Sequence, residues 1–441
     1  CFPYMFRGAL DVGATVINEE MKIAAVKAIA ALARETVSDV AAAAYGGDEI
    51  SFGPEYLIPQ PFDPRLVVWV SKAVAQAAMD SGVAARPLAD MDAYTEQLNQ
   101  FVFRTGLLMK PVFDAAKADP KTVVFAEGEE ESVLRAVQTL VDERLAKPIL
   151  VGRPDVIEKR IKRLGLRLKQ GDHYELTNIL SDPRFNDYWQ EYHRIMARRG
   201  VTPAMAKAIV RSRGTVIASL MVKRGEADAM ICGVVGRYRT KLKHITDVLG
   251  LDPRATCASA LSAVTSEKGV FFFTDTYVQT DPDAQQIAQS ALMAAQRLQI
   301  FGITPRVALL SMSSFGSHEE PSARKMREAL AIIREKAPDL EVDGEMHADA
   351  ALSQSLRERI MPGSPLRGAA NLFVLPNLDS AHISFNMTRV MTDGVALGPI
   401  LMGLSKPAYV MTNSATVRRL VNMSALAVVE AQIRERLAAE G

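Results

Sequence analysis

Cysteine is scarce. Only Cys1, Cys232 and Cys257 occur in 441 residues, too few and too scattered for a disulfide framework or a zinc site. A reducing cytoplasm is the expected compartment. Long apolar runs are also lacking: no stretch reaches the ~20 residues needed to span a bilayer. The first residues, "CFPYMFRGALDV", have no basic n-region and no clean apolar segment. They read as a chain that starts inside something longer, with Cys1 an artificial or proteolytic boundary. Neither sign of charge prevails, since 52 basic and 51 acidic residues leave a net +1. That field gives no reason to expect a nucleic-acid or membrane partner. Where cations cluster, as in "RIKRLGLRLK" (160–169), leucines at helical intervals mark a solvated helix face.

Several motifs are missing too. No G-x-G-x-x-G follows a strand, "GVVGRY" (233–238) being the nearest spacing, and no G-x-x-x-x-G-K-[ST] loop occurs. The six histidines stand apart from one another, with no H-x-x-x-H pair, so no metal is expected. "EVDGEMHADAAL" (341–352) gathers acids around His347 and reads as a solvated loop.

What is present is a chain with 48% apolar and 23% charged residues, ordinary for globular domains and long enough for two or three of them. The first block is helical. After a short strand or loop, a helix over 17–34 opens on Asn18 as N-cap, with Met21, Ile23, Ala24 and Ile29 at helical period. A loop over 52–66 holds Pro54, Pro59, Pro61 and Pro64. Helices follow over 66–82, ending at Gly82, and over 91–117, broken or ended near Pro111.

From Lys121 strands and helices alternate, which argues for an α/β fold with a parallel sheet and crossover helices. Strands are expected within 121–128, 147–152, 227–233, 269–278, 306–312 and 371–377. Two turns could hold an anion. "LLSMSSFGSHEEPS" (309–322) offers Ser313, Ser314, Gly316 and Ser317 at the end of a strand. "CGVVGRYRTKLKHI" (232–245) offers glycines, then Arg237, Tyr238, Arg239, Lys241 and Lys243. Taken alone, the first is equally an ordinary serine-rich turn, and the second a basic helix start.

In order, "KTVVFAEGEEESVLRAVQTL", "RGEADAMICG", "FFFTDTYVQTDPDAQQIA", "FGITPRVALLSMSS", "NLFVLPNLDSAHISFNM" and "GPILMGLSKP" resemble the phosphate acetyltransferase (phosphotransacetylase) family from about residue 120 to 440. The leading "CFPYMFRGALDVGATVINEEMKIAAVKAIAALA" looks like the late part of a bacterial malic enzyme's dinucleotide domain. The whole is similar to the C-terminal part of the hybrid NADP-dependent malic enzymes.

The resemblance implies two α/β subdomains around a cleft, preceded by a mostly helical remnant and linker. The expected division is 1–84 remnant, 85–117 helical linker and 118–441 phosphotransacetylase-like. Within the last, subdomain one takes about 118–235 and 400–441, and subdomain two about 236–399. Active members read approximately N-D-L-S-R-G-C-S-x-E-D where this chain has Tyr409 to Arg419. Thr412 keeps a hydroxyl, Asn413 stands at the arginine, and Arg419 at the final aspartate.

Losing one pre-organised oxyanion donor costs ~10²–10³ in rate, and losing the acid–base partner as well leaves no useful turnover. The implied role is a silent domain that binds acetyl-CoA and allosterically inhibits an attached malic enzyme. NADP and a divalent metal (Mg or Mn) would belong only to the parent's other part. Expected acyl-CoA contacts are Arg237, Tyr238, Ser313, Ser314, Ser317, Asn377, Asp379, Thr412, Asn413, Ser414 and Arg418. A homo-oligomer through the phosphotransacetylase-like domain is also expected. The alternatives are an active phosphate acetyl/butyryltransferase and a ligand-free oligomerisation scaffold.

Overall fold

The computed structural model describes residues 4–35, 52–53, 57–59, 63, 65–102, 104–266, 268–392 and 394–440. The positions of Cys1, Pro54, Pro61 and Pro64 lie outside these. The chain forms two compact units, Cys1–Leu108 and Met109–Gly441.

The first unit is helical: α1 (Tyr4–Asp11), α2 (Glu19–Arg34), α3 (Arg65–Asp80) and α4 (Met91–Val102). Residues 4–11 are therefore helix, where a strand or loop was expected. Asn18 caps α2 by accepting from the Met21 N–H. The buried stripe of α2 is Met21, Ala25, Ala28 and Leu32, so Ile23 points away from the core. Val70, Val74 and Ala78 of α3 and Leu98 of α4 complete that core. Close packing of α1 on α3 requires Gly8, whose added Cβ would stand 2.5 Å from the Ser71 carbonyl oxygen. Helix α5 (Arg104–Ala118) contains Pro111, which does not end it.

The second unit holds two sheets. Its elements run β1 (Thr122–Phe125), α6 (Glu131–Asp142), β2 (Lys147–Val151), α7 (Pro154–Arg163), β3 (Glu175–Thr177), α8 (Phe185–Met196), α9 (Pro203–Ser212), α10 (Gly214–Lys223), β4 (Ala229–Cys232) and α11 (Tyr238–Leu249). Then come β5 (Ser259–Ser266), β6 (Gly269–Thr274), α12 (Ala284–Ile300), β7 (Arg306–Leu310), α13 (Pro321–Lys336), β8 (Glu341–Met346), α14 (Ala348–Leu352), α15 (Gln354–Ile360), β9 (Leu372–Val374) and α16 (Leu378–Met391). The chain closes with β10 (Val395–Met402), β11 (Ala408–Val410) and α17 (Val417–Glu440).

The first sheet, β11-β4-β1-β2-β3, is wholly parallel. Its strands are short runs of β-branched and aliphatic residues covered on both faces, as a parallel sheet requires. The second sheet, β10-β5-β6-β9-β7-β8, is mixed: β5 pairs antiparallel with β10 and β6, and the rest is parallel. Residues 341–346 are a strand with Asp343 and Glu345 buried, which corrects the reading of that stretch as a solvated loop. Its acids are tolerated because each has cationic and hydroxyl partners. Arg334 and Ser364 meet Asp343, and Arg327 and Ser313 meet Glu345.

Helix α17 is buried almost all round from Leu420 to Gln432. It packs on α6, β1, β4, β10 and β11. Glu430 on this helix is buried and accepts from Arg297 of α12 at 2.5 Å, Arg434 at 3.0 Å and the Tyr409 hydroxyl at 2.6 Å. Burial alone would push its carboxyl up, but Arg297, Arg434 and Tyr409 hold it below the ordinary glutamate value.

Candidate functional site

Because β1, β4 and β11 are parallel neighbours, their following turns share one edge of the first sheet. Glu127 after β1 accepts from the Gly233 N–H at 2.9 Å and from Lys241 Nζ at 2.6 Å. Burial pushes the Glu127 carboxyl up against the pull of Lys241. Gly233, with φ of +94°, sits where a Cβ would come 2.6 Å from the Met411 carbonyl oxygen. Only glycine lets the turn after β4 lie this close to the turn after β11.

That turn delivers Arg237 as the N-cap of α11 and Tyr238 as its first residue. The Tyr238 ring stacks on Tyr277 with centroids 5.0 Å apart. Tyr277 in turn meets His382 edge-on at 5.1 Å. Tyr277 belongs to the turn after β6, so this aromatic row joins the edges of the two sheets. Arg239 Nη2 donates to Thr280 Oγ1 at 2.9 Å alongside it.

The turn after β6 is rigidly held. The buried Asp275 carboxylate accepts from the backbone N–H groups of Ala260, Tyr277, Val278 and Gln279 at 2.8–3.1 Å. Burial pushes the Asp275 carboxyl up and these four donors oppose it. His382 Nδ1 donates to the Thr276 carbonyl at 3.1 Å, which fixes that ring on α16.

Burial also pushes the Tyr277 phenol up, while Arg419 and Arg389 are near enough to pull the other way. The Tyr238 hydroxyl is buried with no hydrogen-bond partner among the described residues. An unpaired buried hydroxyl is costly unless something else completes it. The cluster thus combines three aromatic rings, arginines from three elements and an orphan donor. Such a surface suits an anionic molecule with an aromatic or amide portion.

The expected contact residues fall into separate groups. Tyr238 stands in this cluster, with Arg237 exposed just before it in the chain. Thr412, Asn413, Ser414 and Arg418 lie in the turn after β11 and the start of α17, with Thr412 and Ser414 hydroxyls 3.1 Å apart. Asn377 caps α16, its side chain accepting from the Ser380 N–H at 2.9 Å, with Asp379 in the first turn.

Ser313, Ser314 and Ser317 are elsewhere on the edge of the second sheet, after β7, with β9 between β7 and β6. Their hydroxyls serve one another and their loop. Ser313 Oγ donates to Glu345 Oε1 at 2.6 Å, and Ser317 Oγ meets the Ser314 N–H and His318 Nδ1, each at 2.9 Å. Burial pushes the Glu345 carboxyl up, but Ser313, the Gly316 N–H and Arg327 bring it below the ordinary value. The Glu345 carboxylate is paired with Arg327 at 3.1 Å and holds the Ser313 hydroxyl within this loop.

The sign of that shift makes a pH prediction. A depressed folded-state pKa stabilises above the unfolded glutamate value of about 4.3 and loses that contribution as pH falls through the folded value. Urea unfolding between pH 6 and pH 3 should therefore show a shallower acid loss for Glu345→Gln than for the parent chain. Equal slopes would mean Glu345 is not held ionised.

Tyr277, His382 and Arg389 were missed from sequence. Tyr277 had one signal, the polar turn "TDTY" closing an apolar strand. Nothing local marked His382 or Arg389.

The phosphate acetyl/butaryl transferase family model matches residues 107–428. The NADP-dependent malic enzyme of Salmonella typhimurium is 56% identical over 433 residues, covering 98% of this chain and 57% of the relative. The NAD-dependent malic enzyme of Rhizobium meliloti is likewise 56% identical over 431 residues, covering 98% and 56%. The chain thus spans a little over half the length of these relatives. Among solved structures, a phosphotransacetylase from Streptococcus pyogenes aligns over 75% of this chain and 99% of that one, with 27% identity and a TM-score of 0.70.

Proposed function

This chain belongs to the phosphate acetyl/butaryl transferase family, and from that premise we propose that it is the silent phosphotransacetylase-like part of a malic enzyme, which binds acetyl-CoA and so inhibits malate oxidation by the longer polypeptide. The observation that carries the reading is the row of Tyr238, Tyr277 and His382 with Arg419 and Arg389 near it. Aromatic rings beside arginines suit an acyl-CoA, with its phosphates and adenine. The turn after β11, meanwhile, presents Thr412, Asn413 and Arg419 in place of the serine, arginine and aspartate of active members. Binding without reaction is the chemistry that remains.

The proposed division keeps 1–84 as malic enzyme remnant, 85–117 as linker and 118–441 as the transferase-like part. The two compact units part at Leu108/Met109, inside that linker. NADP and a divalent metal would be held by residues beyond this chain. Among the described residues no group of three or more His, Cys, Asp or Glu could hold a metal, and no helix is long and apolar enough to cross a membrane. Cytoplasmic location and a homo-oligomer belong to the same proposal. The exposed row Ile383, Met387, Val390 and Met391 on α16 would suit an isologous contact.

Calorimetric titration of acetyl-CoA, followed by an acetyl phosphate assay on the same sample, tests the reading. Saturable binding without acetyl phosphate supports it. Turnover would establish an active transferase instead, and no binding would leave a scaffold. A sharper probe is Tyr238→Phe. Removing the orphan hydroxyl should leave the ligand-free protein as stable or up to about 1 kcal/mol more stable. If the hydroxyl meets the ligand, affinity for acetyl-CoA should nevertheless fall roughly 5–10-fold. Unchanged affinity would remove Tyr238 from the contact set.

A further inference from the structure

The turn after β4 has little of its own to hold it. The N–H groups of Val234, Val235, Gly236 and Arg237 donate to no described residue, and Val235, Gly236 and Arg237 are exposed. Gly233 and Gly236, at φ of +94° and +99°, add backbone freedom. Fixing such a segment in one shape costs entropy that its own bonds do not return. Yet it delivers the Tyr238 ring to Tyr277 and the Arg239 guanidinium to Thr280.

A carboxylate from another turn supplies the missing hold. Glu127, after β1, takes the Gly233 N–H on Oε2 at 2.9 Å and Lys241 Nζ on Oε1 at 2.6 Å. One side chain therefore grips both ends of the segment, its first glycine and the opening turn of α11. Lys241 Nζ also donates to Thr215 Oγ1 on α10 at 3.1 Å. A Cβ on Gly236 would stand 3.4 Å from Lys241 Cε, so the lysine stem runs along the apex of the turn. The Glu127 and Lys241 side chains are only 12% and 20% exposed. Desolvation offsets much of the attraction in such a buried pair, so its main effect need not be stability. Its placement across an otherwise unbonded turn points to conformation.

We propose that Glu127 and Lys241 are positioning residues for the acetyl-CoA site, their ion pair clamping 233–241 so that Tyr238 and Arg239 meet the turn after β6. This rests on the acetyl-CoA reading, but the clamp itself can be tested without ligand.

Two measurements on this chain and on its Glu127→Gln, Lys241→Met and double variants, each checked for parent-like circular dichroism, test it. Without ligand, tryptic cleavage after Arg237 and Arg239 should be at least ~10-fold faster in each variant, because local opening governs such cuts. Cleavage after the exposed Arg163 should not change. In calorimetric titration, acetyl-CoA should bind each single variant ~10-fold more weakly, and the double variant no more weakly than either single one, since one contact is being removed. The pH profile separates positioning from a general structural role. Burial lifts the Glu127 carboxyl against the pull of Lys241, with Glu130 and Cys232 also near it. The clamp is therefore present above the folded-state value and lost as pH falls through it. The parent's advantage in affinity over Glu127→Gln should shrink between pH 8 and about pH 5, whereas a merely structural role keeps that ratio constant. Unchanged cleavage and unchanged affinity overturn the clamp. Faster cleavage with parent-like affinity overturns its part in binding. If the parent chain itself binds no acetyl-CoA, the functional reading fails, and the cleavage rates alone decide whether the clamp holds the turn.

Discussion

Glu430→Ala should lower the unfolding free energy of the second unit by about 3–5 kcal/mol, the cost of breaking a buried ion pair from one side. The size follows from what the substitution strands. Arg297 and Arg434 both direct guanidinium nitrogens at Glu430 Oε1, and the Tyr409 hydroxyl donates to Oε2. Alanine would leave two cations and a hydroxyl without their shared acceptor. Three elements lose a common anchor at once: α12 beside the second sheet, β11 in the first, and α17 through both. Urea unfolding followed by circular dichroism measures the change. A loss below about 1 kcal/mol would mean water reaches the arginines and screens them, as at a surface pair. Glu430→Gln, which keeps an acceptor oxygen, should cost less than alanine.

The second large effect is expected at Arg419. Arg419→Glu should weaken acetyl-CoA binding by at least ~100-fold. A charge-assisted hydrogen bond contributes about 1.5–3 kcal/mol, the reversal adds repulsion, and each 1.4 kcal/mol is tenfold in affinity. Arg419 is near enough to Tyr277 to pull its phenol down against burial. Arg194→Glu, on α8 and paired there with Glu191, is the control for net charge. Should Arg419→Glu bind like the parent while remaining folded, the ligand does not lie at this edge.

Sequence showed most of the second unit's architecture because its central strands are compact apolar runs between helices. "TVVF", "KPILV" and "RVALL" need only periodicity to be recognised. Strand β5, "SALSAVTS", is buried along its whole length, yet its small and hydroxylated residues carry no such signal. "EVDGEM" was misread for the same reason: its acids are neutralised by Arg334 and Arg327, partners that only the fold brings near. Pro111 stays inside α5, so a helix-breaking residue overstated the boundary.

The site was half readable. Tyr238 and the turn around it stood out locally, but its stacking partner is 39 positions later, on another sheet. Proximity of that kind is created by topology and has no trace in spacing. The hydroxyls of the serine-rich turn are visible in sequence, whereas the Glu345 carboxylate that Ser313 bonds is contributed by β8.

Strand β11 completes the first sheet by pairing with β4, whose residues are made about 180 positions earlier in the chain. Chains emerge from the ribosome N-terminus first, at ~5–20 residues per second. For many seconds, then, the growing polypeptide holds β4 with an open edge and no α17 to cover it. An uncovered apolar strand is a template for pairing with other chains. Aggregation during expression should therefore rise sharply for products truncated before Ala408, and the last thirty or so residues act as the closing piece of the molecule's earliest sheet.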